Sequence, residues 1–296
     1  MKGGHIVSNK NKTIITVALT GSLGSKDRNP HTPVTPDEII EDAYQCYLEG
    51  ASVVHIHVKG EDETSSSIDY DKFNYIREGI RKKCDIIINF STSGEANVIN
   101  GLDLIGTADA DQEKRIGILN CEPDIATFDV PTMNFDTRIF MNPIAFLKKL
   151  GVEMKERSIL PEVELYSVAD VHVTKSLMEE GYLPDDVFYQ LCLGIKGGTP
   201  ATVKDLVYLH DALPKESAWS AFGVGKNHLS ILYATLALGG HVRVGLEDNL
   251  YYEKGRLASN QKLVQRAARV IKEYGNEIAT PEEARAILKI KKEVVI

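Results

Sequence analysis

Eight short apolar runs rich in β-branched residues alternate with helical segments along 296 residues, and this alternation restricts the fold more than any other feature. The runs are IITVALT (14–20), SVVHIHV (52–58), DIIINFS (85–91), IATF (125–128), LPEVELY (160–166), DVFYQLCLG (186–194), SAWSAFG (217–223) and HVRVGLE (241–247). Thr35-Pro36-Asp37-Glu38 is a capping box with Pro at the first helical position, and Gly50 closes the helix it opens. Phe73, Ile76 and Ile80 repeat at helical spacing within 70–83, and further helices are expected near 142–150, 168–180, 202–213, 227–238 and 258–274. Thr280-Pro281-Glu282-Glu283 repeats the capping box and opens a short last helix. The stretch 95–124 carries no readable period. Eight such units without a linker predict an α/β fold, a (β/α)8 TIM barrel with a C-terminal helical extension. The barrel spans about 14–275 and the last helix about 280–290, within one domain over 1–296. An open Rossmann-like sheet competes, but the first run leads into TGSLGS rather than a GxGxxG that opens a helix at once.

Charge narrows the partners. With 34 Lys+Arg against 42 Asp+Glu the net charge is −8, and no basic block stands out, so neither nucleic acid nor an anionic membrane is an expected partner. No apolar core of the roughly 7–15 residues a secretory signal needs precedes Ile14. The longest apolar run, LSILYATLALGG (229–240), falls short of the roughly 18 residues of a membrane span. Cys46, Cys84, Cys121 and Cys192 are scattered without a CxxC pair and read as reduced, buried thiols of a cytoplasmic protein.

In a barrel the chemistry sits where strands end. Side chains alternate along a strand, so His55 and His57 share one face while Val54, Ile56 and Val58 take the other. Two polar rings on a buried strand either bind an ion or find structural hydrogen-bond partners. In HVRVGLED the inner face carries His241, Arg243, Gly245 and Glu247, so Glu247 can join the two histidines as a ligand set with open positions. Arg243 and Asp248 then form either a charge pair beside the metal or a bridge that closes the barrel. Glu164 and Tyr166 end the fifth run, and Ser91-Thr92 the third. Glycine-rich turns at 194–199 and 223–225, with Lys196, Gly197, Gly198 and Lys226, offer backbone N–H groups to an anion, such as the phosphates of coenzyme A; tight turns needing positive φ look the same.

These segments together resemble the β-keto acid cleavage enzyme family, best known for 3-keto-5-aminohexanoate cleavage in lysine fermentation. The likeness runs from about residue 14 to 290, through TVALTGS, PVTPDEI, GASVVHIHV, INFSTSG, ATFDVPTMNF, PEVELY, LGIKGG and GGHVRVGLEDN. It implies a (β/α)8 barrel, one zinc ion per subunit on His55, His57 and Glu247, and a homotetramer. It implies that Arg243 and Asp248 act together as the catalytic base. It places Ser91 and Thr132 in substrate binding, within segments that also hold Thr92 and Gly94. The implied reaction converts a β-keto acid and acetyl-CoA to acetoacetate and a new acyl-CoA. Two positions depart from members that take the aminated substrate: Leu23 stands where they carry a glutamate, and Ser167 where an acidic residue is usual. A cationic amine would lose its counter-charge, so the expected substrate tail is neutral or apolar. Lys226 replaces a common Arg and keeps its charge. Competing readings are a divalent-metal-dependent aldolase or lyase without coenzyme A, and a non-catalytic metal-binding barrel.

Overall fold

A computed structural model describes residues 12–99, 102–106 and 109–290; segment 1–11, to which the expectation about a secretory signal refers, lies outside them. Eight parallel strands close into a barrel: β1 (Ile15–Ala18), β2 (Val53–Ile56), β3 (Ile87–Phe90), β4 (Ile125–Asp129), β5 (Leu160–Leu165), β6 (Phe188–Leu193), β7 (Ala218–Gly223) and β8 (His241–Val244). Each pairs with its neighbours in sequence, and β8 closes on β1 through Val242 opposite Ile15 and Arg243 opposite Thr16. Around them lie α1 (Pro36–Leu48), α2 (Tyr70–Lys83), α3 (Asp109–Gly117), α4 (Ile144–Glu156), α5 (Val168–Glu179), α6 (Val203–Asp211), α7 (His228–Ala237), α8 (Asn260–Tyr274) and α9 (Pro281–Leu288). Both Thr-Pro capping boxes form, with Thr35 and Thr280 each accepting the N–H of a glutamate three residues on. No helix among the described residues is long and apolar enough to cross a membrane.

Strand alternation sorts the side chains into three zones. Outward residues such as Val17, Val54, Ile56, Ile88 and Phe90 pack on Ile39, Ile76 and Ile80 of the helices, and Phe128, Val163 and Leu191 do the same on the opposite flank. Inside, the N-terminal end of the barrel is apolar: Ile14, Val53, Ile87, Ile125 and Phe188 meet Ala284 and Leu288 of α9. The C-terminal extension is therefore a plug in the barrel floor, and burying a leucine there stabilises the closure by about 1.5–3 kcal/mol. Above this floor the interior turns polar, with Thr16, His55, Asn89, Thr127, Glu162, Gln190 and Ser220 all buried. Asn89 Nδ2 donates to Glu162 at 2.6 Å, and Ser220 Oγ to Gln190 at 2.7 Å. Burial pushes the Glu162 carboxyl up to about 7.

All eight runs are barrel strands. The stretch without a readable period holds strands at Ala96–Ile99 and Leu102–Ile105 followed by α3. The two strands join a hairpin of Met133–Phe135 and Arg138–Phe140 in a four-stranded sheet beside the barrel mouth. Strands of three or four residues are too short to show a period, which is why the pattern of runs does not signal this sheet. Cys46, Cys121 and Cys192 are buried free thiols as expected, whereas Cys84 is only half-buried.

Candidate functional site

At the C-terminal mouth of the barrel a cavity of about 390 Å³ opens against His55, His57 and Glu247. His55 faces inward from β2, and His57 follows two residues on, just past the strand end. Glu247 comes from the turn after β8. Gly245 makes that turn possible: its φ is +151°, and a Cβ would lie 1.9 Å from the Ala18 carbonyl. Gly21, at φ +70°, leaves the space that the Glu247 side chain fills, since a Cβ there would sit 2.5 Å from Glu247 Cγ.

The three residues present donor atoms within 4.8 Å of one another. Glu247 Oε2 lies 3.4 Å from His55 Nε2, and Oε1 lies 3.5 Å from His57 Nε2. Two donors about 2.0–2.1 Å from a tetrahedral ion stand about 3.3 Å apart, so these separations suit a zinc-sized cation. Glu247 Oε2 is buried with no hydrogen-bond partner, as is His55 Nδ1. Burial opposes charge on both imidazoles; at His55 the Glu247 carboxylate outweighs it and raises the pKa, while at His57 burial prevails and lowers it. Burial also opposes ionisation of Glu247, but His55, Arg243 and His57 hold its pKa far below the usual carboxylate range. A half-buried carboxylate, one oxygen of it fully covered and without a partner, beside two buried imidazole nitrogens is a set of residues that fits a divalent cation.

Arg243 links this cluster to two more acids. Its guanidinium donates to Asp248 through Nε at 3.0 Å and Nη2 at 3.1 Å, to Glu164 through Nη1 at 3.0 Å, and to Glu247 through Nη2 at 2.9 Å. Its plane rests on the Phe222 ring, 4.3 Å from the centroid. Burial pushes the Asp248 carboxyl up to about 6, with Arg243 pulling against it. Burial likewise works to raise Glu164, but Arg243 prevails and lowers it. Tyr166 OH donates to Glu164 at 2.7 Å and lies 3.5 Å from Asp129. Burial and the neighbouring Glu164 raise Asp129 well above its ordinary value, and Asp129 Oδ2 is buried without a partner. One wall is thus charged and the facing wall can carry a protonated carboxyl.

The cavity brings together most of the residues singled out by sequence. Leu23, Ser91, Gly94, Glu164 and Tyr166 line it with the three donors. Neither Arg243 nor Asp248 lines it: Arg243 reaches its wall through Glu164 and Glu247, and Asp248 stands behind Arg243. Thr92 is buried behind the wall, its hydroxyl donating to the Thr127 carbonyl at 2.8 Å. Thr132 faces a second cavity and accepts the Asn142 N–H at 2.9 Å. Gly198 borders that second cavity too. Lys196, exposed, pairs with Asp136 at 2.7 Å; Gly197 packs on Asn134; Lys226 is exposed in the turn after β7. These four glycine-turn residues lie outside the main cavity. Of the two departures, Leu23 lines the cavity and Ser167 does not: Ser167 starts α5, where its N–H donates to Asp170. Thr127 and Asp129, at the end of the fourth run, line the cavity too; sequence reasoning passed over Phe135, Arg138 and Phe140, which complete that side. The alternation F-x-x-R-x-F around a turn at Asp136 is the one local signal for the last three.

Comparison with known proteins gives a consistent outcome. The profile described as beta-keto acid cleavage enzyme matches residues 12–290. A Fusobacterium nucleatum protein named 3-keto-5-aminohexanoate cleavage enzyme is 37% identical over 95% of this chain and 99% of its own. A Cupriavidus necator protein named 3-oxoadipate:acetyl-CoA acetyltransferase is 36% identical over 93% of this chain and 94% of its own. Among solved structures, ObcA in binary complex with oxaloacetate superposes with a TM-score of 0.77 at 19% identity, covering 89% of this chain and 68% of that one, which speaks to the barrel fold alone.

Proposed function

The chain belongs to the β-keto acid cleavage enzyme family, a carbon–carbon bond-cleaving acyltransferase, and from that premise we propose that it converts a β-keto acid and acetyl-CoA into acetoacetate and a new acyl-CoA in a zinc-dependent reaction. The observation that carries this reading is the convergence of His55, His57 and Glu247 on the cavity wall, joined through Arg243 to Asp248 and Glu164. A divalent ion held there supplies, when bound, Lewis-acid stabilisation of negative charge on the substrate's oxygens.

The chain's own residues do the rest. Asp248, held by two hydrogen bonds from Arg243, is proposed as the base that removes a proton from the α-carbon of the β-keto acid. Its raised pKa, about 6, matches a base that works near neutrality. The deprotonated carbon attacks the acetyl thioester carbonyl and releases the thiol of coenzyme A. That thiol, as thiolate, adds to the original ketone; the bond between that carbon and the α-carbon breaks, leaving acetoacetate and the new thioester. The α-carbon then needs a proton. Ser91, on the cavity wall, is proposed to bind the substrate carboxylate, and Tyr166 and Glu164, which line the same cavity, to orient its keto group. Because Asp248 stands behind Arg243, its action requires Arg243 to pivot or the substrate to reach past it; Glu164, which lines the cavity, is the second candidate for base. Leu23 in the cavity favours a tail without an amine. Coenzyme A phosphates are assigned to the exposed turns of Lys196–Gly198 and Lys226. A cytoplasmic homotetramer completes the proposal.

A coupled assay of a β-keto acid panel with acetyl-CoA tests it. We expect consumption only when acetyl-CoA is present, with acetoacetate formed in equal amount. Consumption without acetyl-CoA would instead identify a metal-dependent aldolase or lyase.

A further inference from the structure

We propose that the cavity selects a β-keto acid whose far end carries a second carboxylate, and that Arg138 recognises that group; this rests on the β-keto acid reading above. Arg138 begins the second strand of the Met133–Phe135/Arg138–Phe140 hairpin, opposite Phe135. Arg138 and Phe140 are two residues apart and share a face, and both line the cavity with Phe135 and Ile105. Arg138 is the sole Lys or Arg among the cavity's described lining residues.

Its surroundings differ from those of the other arginines near the site. Arg243 is held by three carboxylates, and Arg115 by carbonyl oxygens of Thr92, Met141 and Asn142. Arg138 is half-buried and makes no hydrogen bond or ion pair among the described residues. A guanidinium partly withdrawn from water on a wall it shares with aromatic residues gains from an anion it can bind in bidentate fashion. The cavity's own carboxylates do not supply one: Glu247 and Glu164 are engaged with Arg243, and Asp129 with Tyr166. The anion is therefore left to the ligand.

The charge pattern across the cavity agrees. Leu23, Ser22, Ser25, Thr64, Ser65 and Ser66 provide no counter-charge for an amine. A cationic tail would meet Arg138, and a plain alkyl tail would leave it unpaired, so the neutral or apolar tail expected from Leu23 alone gives way to an anionic one once Arg138 shares the cavity. The phosphates of coenzyme A are the other source of an anion. They suit Arg138 less well, because a 390 Å³ cavity holds a small metabolite whereas the nucleotide end needs the open rim.

Steady-state kinetics with acetyl-CoA separate these sources. The probes are 3-oxohexanedioate and 3-oxohexanoate, which share length and differ in the distal carboxylate. The wild type is expected to prefer the diacid by at least tenfold in kcat/KM. R138M should cut that preference by roughly 10- to 100-fold, with R138K recovering part of it and the KM for acetyl-CoA unmoved. Equal use of the two substrates by the wild type overturns the proposal. So does an R138M variant in which the KM for acetyl-CoA rises while the preference stays, since Arg138 would then serve the nucleotide. Calorimetric titration with unreactive hexanedioate and hexanoate gives a readout independent of turnover. If R138M binds hexanedioate as the wild type does, the proposal fails. If hexanedioate binding depends on Arg138 while no β-keto acid is turned over with acetyl-CoA, the reaction assignment fails and the carboxylate recognition stands.

Discussion

The two walls of the cavity are built by different means. The metal-side wall comes from β2 and the turn after β8, where His55, His57 and Glu247 are fixed by strand alternation and by one glycine turn, with Arg243 of β8 bonded to Glu247 from behind the wall. The facing wall mixes the ends of β4 and β5, which give Asp129, Glu164 and Tyr166, with a sheet inserted outside the barrel, which gives Phe135, Arg138 and Phe140. The first wall places its charges on elements that the barrel itself holds. The second is partly carried on a short hairpin that can change sequence without disturbing a barrel strand. One wall thus suits a chemistry shared by a family, and the other a choice among its substrates.

The largest effects should follow from breaking the first wall. Glu247→Gln removes the ionised donor between the two imidazoles and should abolish stoichiometric zinc, with turnover reduced on the order of 10³-fold. Elemental analysis beside the acetoacetate assay checks this; a variant that keeps full zinc and full rate would place the ion elsewhere.

Next come the two acids that Arg243 holds besides Glu247. Asp248→Asn and Glu164→Gln should both retain zinc, since neither is in the donor cluster. If Asp248 is the base, its variant loses roughly 10²- to 10⁴-fold in kcat, while Glu164→Gln loses less and acts more on KM. The reverse order would move the base to the facing wall. In the same experiment the wild-type kcat should fall as pH drops through about 6, where Asp248 takes up a proton.

The difference between the walls also explains what the sequence made legible. HxH and RxGxED are close-range patterns: a period of two sends their polar members to one face, so both the donors and their shared face can be read from a single line of residues. Eight apolar runs are likewise strong local signals, and each proved to be a barrel strand. The facing wall depends on pairings across long distances. Arg138 meets the cavity only because its hairpin lies beside Leu102–Ile105, some thirty residues earlier in the chain, and strands of three or four residues announce no period. Thr92 and Thr132 are ambiguous for a related reason. A hydroxyl at a strand end serves a substrate or a neighbouring loop equally well, and here both are spent on holding loops. Ser167, where an acidic residue is usual, instead starts α5 with its N–H donating to Asp170.

A smaller effect sharpens the specificity side. Leu23 is 41% exposed, so a glutamate placed there stays largely hydrated. Leu23→Glu should raise kcat/KM for 3-keto-5-aminohexanoate relative to an unaminated β-keto acid by only a few-fold, since exposed charge pairs contribute about 0.2–1 kcal/mol. A hundredfold rise would mean that this loop, rather than the inserted sheet, dominates tail selection.

The smallest effect on catalysis concerns the scaffold behind the metal-side wall. Asn260 on α8 accepts the Leu246 N–H at 2.8 Å, next to Glu247, and donates to the Leu19 carbonyl at 3.0 Å and to Asp42 at 2.6 Å. Burial raises the Asp42 carboxyl to about 6, although the Asn260 hydrogen bond pulls it down. A carboxyl with a raised folded-state pKa binds its proton more tightly in the native protein. Its stabilisation is therefore complete below about 4 and is lost as pH rises through about 6. Asp42→Asn has no proton to lose, so its Tm should gain on the wild type by a few degrees between pH 4.5 and pH 8, with kcat at pH 8 nearly unchanged. A Tm difference that stays constant over that range would show that Asp42 is ionised throughout. A change in kcat as large as that of Asp248→Asn would show that the Asn260 hub sets the position of Glu247, rather than merely holding α8 against the barrel.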